Sequence, residues 1–247
     1  MTAENGALAV IPARYASTRF PGKPLVSLLG RPMIAHVVAR ALEAACFDEV
    51  LVATDDERIA AAAAQAGARP VVTGPADSGT DRVAAAVRTE RAEIVVNLQG
   101  DEPAMPPGNL QALVRFLRRR PDVAIATLAL PGAAADLADP DVVKVVCDLE
   151  GRALYFSRAA IPFQRRPDAG LVRRHLGLYG FRREALLRFA ALPGCALERA
   201  EGLEQLRALA HGMAIHVLDV EHPSVAVDVP GDIPRAEEAL RRIYAGR

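Results

Sequence analysis

Leu8-Ala9-Val10-Ile11-Pro12-Ala13-Arg14-Tyr15-Ala16-Ser17-Thr18-Arg19-Phe20-Pro21-Gly22-Lys23 is the stretch on which the reading of this 247-residue chain turns. Leu8 to Ile11 is short, apolar and followed at once by turn-forming residues, so it reads as a buried strand. The loop behind it carries Arg14, Arg19 and Lys23 among Ser17, Thr18 and Gly22. A loop of that make-up, leaving the end of a parallel strand, offers main-chain N–H groups and three cations to a polyphosphate. Of thirty basic residues only Lys23 and Lys144 are lysines. Where arginine stands wherever either cation will do, a surviving lysine marks a need for a compact ammonium. By itself the loop reads equally well as an ordinary turn. The G-x-x-x-x-G-K-[ST] spacing is absent, Pro24 follows the lysine, and there is no Rossmann fingerprint.

A second cluster, Asn97-Leu98-Gln99-Gly100-Asp101-Glu102-Pro103, directly follows the apolar run Ile94-Val95-Val96. A carboxylate released by a glycine at the carboxyl end of a buried strand sits where open parallel sheets place their ligands, which makes Asp101 a candidate Mg²⁺ ligand. Between the two clusters the pattern alternates. A helix begins at Pro32 and buries Met33, Ile34, Val37, Val38, Ala41 and Leu42. Strands follow at Glu49 to Ala53, Arg69 to Thr73 and Glu93 to Leu98, with a helix after Asp55 and another from Thr80 to Glu90. This βαβα rhythm predicts an α/β fold with a mostly parallel sheet covered by helices on both faces.

After Pro131 the rhythm changes. Val142 to Val146 and Ala153 to Ser157, separated by a turn at Gly151, read as strands or an arm, and His175 to Phe181 as a further strand. Helices are expected over Arg183 to Ala191, Ala200 to His211 and Asp232 to Tyr244, with a strand at Ile215 to Val220. One domain over 1–247 is expected, with a nucleotide half at about 7–130 and a second half at about 131–247. Lys144 falls opposite Val143 and Val145 and is given no role.

Formal net charge is zero, so bulk electrostatics do not point to nucleic acid or an anionic membrane, and Arg118-Arg119-Arg120 reads as a helix end. Cys46, Cys147 and Cys195 are widely spaced and odd in number, which fits a reducing compartment and a cytoplasmic location. Met1 to Gly6 lacks the basic patch of an export signal, so neither export nor an anchor is expected.

The phosphate loop, Ser78-Gly79-Thr80-Asp81-Arg82, Gln99-Gly100-Asp101-Glu102-Pro103, Tyr155-Phe156-Ser157-Arg158, His175-Leu176-Gly177-Leu178-Tyr179, Leu203-Glu204-Gln205-Leu206-Arg207 and Val227-Asp228 occur in this order. Together they resemble the 3-deoxy-manno-octulosonate cytidylyltransferases, the CMP-KDO synthetases. The resemblance implies a three-layer nucleotidyltransferase sandwich with a projecting dimerisation arm, usually a homodimer. It also implies transfer of CMP from CTP to 3-deoxy-manno-octulosonate (KDO) with Mg²⁺, for lipopolysaccharide synthesis.

Carried onto this chain, the resemblance makes Arg14, Lys23 and Asp101 catalytic. Pro12, Ala13, Arg14, Arg19, Lys23, Ser78, Gly79, Thr80, Asp81 and Arg82 would bind the nucleotide. Gln99, Arg158, His175, Tyr179, Glu204 and Gln205 would bind the sugar acid, and Asp101 with Asp228 would hold the metal. In-line attack on the α-phosphorus depends on positioning and charge neutralisation, with Arg14 suited to the α-phosphate and Lys23 to the β- and γ-phosphates. Thr80 is expected to cap the next helix. The chain departs from the family at Ala76, where a basic residue is usual, and at Val229 and Gly231, where Thr and Glu are usual. Activity on another sugar acid, such as an 8-amino or sialic-type sugar, and a non-catalytic nucleotide-binding role are the alternatives. His36, His211, His216 and His222 lack metal-like spacing and are read as structural.

Overall fold

The computed structural model describes residues 6–16, 20–166 and 172–246. Strand β1 (Ala7–Ala13) is buried along its whole length, as its unbroken apolar run requires. A 3₁₀ turn at Lys23–Leu25 and a small hairpin, β2 (Ser27–Leu28) and β3 (Arg31–Pro32), lead into α1 (Met33–Glu43). Then come β4 (Glu49–Thr54), α2 (Glu57–Gln65), β5 (Arg69–Val72), α3 (Gly79–Ala86), β6 (Ile94–Asn97), α4 (Pro107–Arg119) and β7 (Ile125–Pro131). The second half supplies α5 (Ala134–Ala138), β8 (Lys144–Cys147), β9 (Ala153–Ser157), β10 (Arg173–Arg182), α6 (Arg183–Ala190), α7 (Ala196–Glu201), α8 (Gln205–Ala210), β11 (Ile215–Asp219) and α9 (Ile233–Ala245).

Strand alternation builds the three layers directly. On β1, Ala7, Ala9, Ile11 and Ala13 point into one core with Ile34, Val37, Val38 and Ala41 of α1 and Leu110, Leu113, Val114 and Leu117 of α4. Leu8 and Val10 point into the other, with Val83 and Ala84 of α3, Leu186 and Phe189 of α6, and Leu206 of α8. The helical spacing of those residues turns one apolar stripe of each helix to the sheet. A third, smaller cluster joins Leu28 and Met33 to Val227 and to Ala236 and Leu240 of α9.

The main sheet runs β11-β7-β10-β6-β1-β4-β5. β1 pairs in parallel with both β4 and β6, as expected. β10 enters antiparallel between β6 and β7, which makes the sheet mixed. Between Leu176 and Tyr179 its register against β7 slips, a bulge that re-aims the side chains on either side. The segment read as strands or an arm is a hairpin tied to the main sheet, β9 to β8 and Lys144 of β8 to Arg174 of β10. Leu154 and, at its turn, Leu149 are left exposed.

Two local expectations change. Ser78, not Thr80, caps α3, its Oγ accepting from the Asp81 amide at 3.1 Å. The helix expected over Ala200 to His211 is broken into α7 and α8, because Gly202 ends α7 in the left-handed conformation, φ 64°.

Candidate active site

The carboxyl ends of β1 and β6 open into a cleft of about 210 Å³. Pro12 and Ala13 at the end of β1 and Arg14 just after it form one wall, Ser78, Gly79 and Arg82 the facing wall, and Gln99, Gly100 and Asp101 its floor. Lys23 enters from the loop after β1 and Asp228 from the segment before α9. The floor is tight: a Cβ on Gly100 would lie 2.8 Å from the Pro12 carbonyl oxygen, so only glycine lets the two strand ends meet. The loop after β1 is closed at its root, the Gly22 amide donating to Tyr15 O at 2.9 Å, while the Arg58 guanidinium stacks 3.7 Å from the centre of the Tyr15 ring.

Lys23 Nζ donates to Asp101 Oδ2 at 2.7 Å and lies 3.5 Å from Asp228 Oδ1. The two aspartates, far apart in sequence, are joined by the main chain as well, since the Val227 amide donates to Asp101 O at 2.9 Å. A pair of carboxylates sharing one ammonium is a donor set of hard oxygens that already accommodates a cation. It fits Mg²⁺, which binds through one or two carboxylates and takes its remaining ligands from phosphate and water. Among the described residues no group of three or more His, Cys, Asp or Glu side chains could hold a metal.

Other expected nucleotide residues divide. Arg82 lines the cleft but is also anchored, to Asp55 at 2.7 Å and Thr73 at 2.6 Å, so it is a fixed wall charge. Asp81 turns away and takes the Ser78 hydroxyl at 2.9 Å. Thr80 is buried beneath the cleft. Arg19 lies outside the described residues.

The expected sugar-acid residues other than Gln99 do not line this cleft. Tyr179, Glu204 and Gln205 border a small cavity with Phe181 and Phe189. Burial, and then the Glu204 carboxylate, hold the Tyr179 phenol well above its ordinary range. The Glu204 carboxyl is itself raised by burial, against the hydrogen bond from Thr80. A directed chain connects cleft and cavity: Gln99 Nε2 donates to Asn97 Oδ1 at 3.1 Å, Asn97 Nδ2 to Thr80 Oγ1 at 3.1 Å, and Thr80 to Glu204. Its end on a carboxylate fixes the direction of every proton in it.

His175 lies edge-on to Phe156, ring centres 4.9 Å apart, and burial lowers its pKa to about 3. Its Nε2 is 2.9 Å from Thr127 Oγ1, which also reaches Leu178 O at 2.8 Å and Leu176 O at 3.2 Å across the bulge. A hydroxyl has one proton and the carbonyls only accept, so His175 donates from Nε2 and keeps Nδ1 as an acceptor. Arg158 is held at Glu201, described below.

Sequence reasoning missed Asn97, Thr127, Glu201 and Glu102. Asn97 stood in a quoted motif, while Thr127 and Glu201 carry no motif signal at all. Glu102, beside Asp101, takes the Ser224 hydroxyl, and burial with the nearby Asp101 and Asp228 charges lifts its carboxyl to about 7. His36 is structural as expected, bonded through Nδ1 to Tyr244 at 2.6 Å and through Nε2 to Leu28 O at 2.8 Å.

The family described as Cytidylyltransferase matches residues 8–215. A 3-deoxy-manno-octulosonate cytidylyltransferase of Myxococcus xanthus (strain DK1622) is 52% identical over 237 residues, covering 95% of this chain and 96% of its own. One from Anaeromyxobacter sp. (strain Fw109-5) is 51% identical over 234 residues, covering 94% and 95%. Among solved structures, a CMP:2-keto-3-deoxy-manno-octonic acid synthetase complexed with CTP superposes with a TM-score of 0.92 at 39% identity, over 97% of this chain and 100% of that one. A 4-diphosphocytidyl-2C-methyl-D-erythritol synthase from Anaerococcus prevotii, 14% identical with a TM-score of 0.64, shares the fold. Cleft, paired aspartates and relatives agree, and the chain belongs to the 3-deoxy-manno-octulosonate cytidylyltransferase family.

Proposed function

We propose that the cleft joins CMP from CTP to KDO and releases pyrophosphate, with Mg²⁺ held by Asp101 and Asp228. The observation that carries this reading is the Lys23 ammonium seated between those two carboxylates at the foot of a cleft walled by Arg14. The triphosphate lies along the loop, Arg14 on the α-phosphate and Lys23 on the β- and γ-phosphates that depart. A divalent cation bound there neutralises phosphate charge and acidifies a neighbouring hydroxyl. The chain's own contribution is to align the anomeric oxygen with the α-phosphorus, opposite the leaving pyrophosphate, and to meet the charge that develops. Gly79, whose Cβ would lie 3.4 Å from the Pro12 ring, leaves a flat wall for the cytosine. Gln99, Arg158, His175, Tyr179, Glu204 and Gln205 receive the sugar acid, Arg158 facing its carboxylate and His175 Nδ1 accepting from a hydroxyl.

Two copies pair through the apolar side chains that the β8–β9 hairpin and the segment after it leave in solvent: Leu149, Leu154 and, at 88% exposure, Phe163. The enzyme works in the cytoplasm, where CTP is available; among the described residues no helix is long and apolar enough to cross a membrane. Pyrophosphate release measured for four nucleoside triphosphates against KDO, 8-amino-KDO and a sialic acid tests the assignment. Turnover is expected with CTP, KDO and Mg²⁺ together, and faster turnover with UTP or a sialic acid overturns it.

A further inference from the structure

Lys144, the second of the chain's two lysines, is fully buried at the root of the β8–β9 hairpin. Its Nζ donates to Asp139 O at 2.8 Å, Val142 O at 2.7 Å and Arg158 O at 2.5 Å. All three ammonium protons are therefore used on main-chain carbonyls that converge from the turn before β8 and the exit of β9. A planar guanidinium cannot point three N–H bonds at such a trio, which explains why a chain so rich in arginine keeps lysine here. Burying a charge is strongly disfavoured unless its hydrogen bonds are complete, and these are.

The opposite side of Arg158 is held by Glu201, at the end of α7. Glu201 Oε2 accepts from the Arg158 amide at 2.9 Å, its main-chain oxygen from Arg158 Nε at 3.1 Å, and its Oε1 from Ser157 Oγ at 2.5 Å. Arg158 Nη1 reaches Pro140 O at 3.0 Å, back on the turn that Lys144 holds. Arg158 is thus fixed at its amide, its carbonyl, Nε and Nη1, and only Nη2 has no partner among the described residues. Burial by itself would raise the Glu201 carboxyl, but the hydrogen bonds from Ser157, Arg158 and Tyr155 outweigh it and hold it below its ordinary range. The corner that carries Glu201 continues through Gly202 and Leu203 to Glu204, which receives the Thr80 hydroxyl beneath the nucleotide cleft.

We propose that Lys144 and Glu201 are positioning residues of the sugar-acid site, clamping Arg158 so that its free guanidinium edge is preset for the substrate carboxylate. This rests on the assignment of Arg158 to KDO above. A preset cation binds without first giving up side-chain freedom, so loss of the clamp weakens sugar-acid binding rather than the chemical step.

The test is steady-state kinetics with CTP and KDO on Lys144→Met, Lys144→Arg, Glu201→Gln, Arg158→Ala and the double variant Lys144→Met/Arg158→Ala. Lys144→Met and Glu201→Gln are each expected to raise the KM for KDO about tenfold, with kcat and the KM for CTP within about twofold of wild type. Lys144→Arg does not restore it. In the Arg158→Ala background Lys144→Met adds less than about twofold, because the group it positions is gone. Should Lys144→Met not fold, Glu201→Gln, which keeps the shape of the side chain, carries the same test. If Arg158→Ala raises the KM for KDO and Glu201→Gln does not, the clamp is refuted while the sugar-site assignment stands. If Arg158→Ala leaves the KM for KDO unchanged, the assignment itself fails and the clamp with it.

Discussion

Replacing Lys23 by alanine removes its ammonium from the cleft and leaves Asp101 and Asp228 without it. At 2.7 Å from Asp101 the Coulomb attraction of that ammonium is about 6 kcal/mol at an effective dielectric near 20, and about 1.5 kcal/mol in bulk water. The Lys23 side chain is 16% exposed, so the working value lies between these limits. Arg82 cannot substitute, being fixed on Asp55 and Thr73. With a triphosphate bound, the missing charge is felt most as pyrophosphate departs, where one electrostatic donor is worth about 2.7 to 4 kcal/mol, or roughly 10² to 10³ in turnover. Lys23→Ala is therefore expected to lower kcat by that factor in a coupled pyrophosphate assay at saturating CTP, KDO and Mg²⁺. Lys23→Arg should recover less than about a tenth of wild-type activity, because a planar fork does not fit the point between two carboxylates. An arginine variant equal to wild type, or an alanine variant within tenfold of it, would refute the reasoning.

Asp101→Asn and Asp228→Asn should each abolish turnover with the fold intact; calorimetry should still detect CTP binding, without the gain that Mg²⁺ adds to wild type. His175 supplies a pH test. Its pKa falls from 6.5 to about 3 on burial, so the unfolded chain takes up the proton first. Stability is complete above about pH 6.5 and declines as pH drops towards 3, at about 1.4 kcal/mol per pH unit. Urea midpoints from pH 7 to pH 4 should fall less steeply in His175→Gln, and parallel slopes would remove His175 as the cause. His175→Ala should raise the KM for KDO alone, whereas Glu204→Ala should raise the KM for both substrates, since Glu204 also holds Thr80 beneath the cleft. A Glu204→Ala effect confined to KDO would show that this link carries no energy.

The parts of the fold written in local pattern were legible. The runs that begin at Leu8, Glu49 and Ile94 are apolar because parallel strands in the middle of a sheet are covered on both faces, and each is a strand; Arg69–Val72 is a strand as well, but a partly exposed one at the sheet edge. Ile125–Pro131 is equally apolar, but its place beside β10 follows from long-range pairing that periodicity does not encode. That Arg14, Lys23, Gly100 and Asp101 line one cleft is legible because they are the residue types phosphate chemistry calls for, set in loops after strands. The second layer is not. Thr127 works through its hydroxyl at a bulge, Lys144 through carbonyls, and Glu201 through an amide, and main-chain partners leave no mark on sequence. The capping hydroxyl was misplaced by two residues because Ser78 and Thr80 are both good caps, and only the geometry of the helix start chooses between them.

The small third cluster has a consequence for the order in which the enzyme is made. Leu28 and Met33, just past the phosphate loop, share it with Val227, Ala236 and Leu240, and the Val227 amide is bonded to Asp101. Bringing Asp228 to Lys23 therefore requires closing a loop that spans most of the chain, a late event in entropic terms. During synthesis the strands around β1 can pair while the aspartate pair does not yet exist. A nascent chain can hold most of a sheet and the Lys23–Asp101 pair, yet it lacks the second carboxylate until the segment before α9 docks, so activity is expected to begin only with this last step.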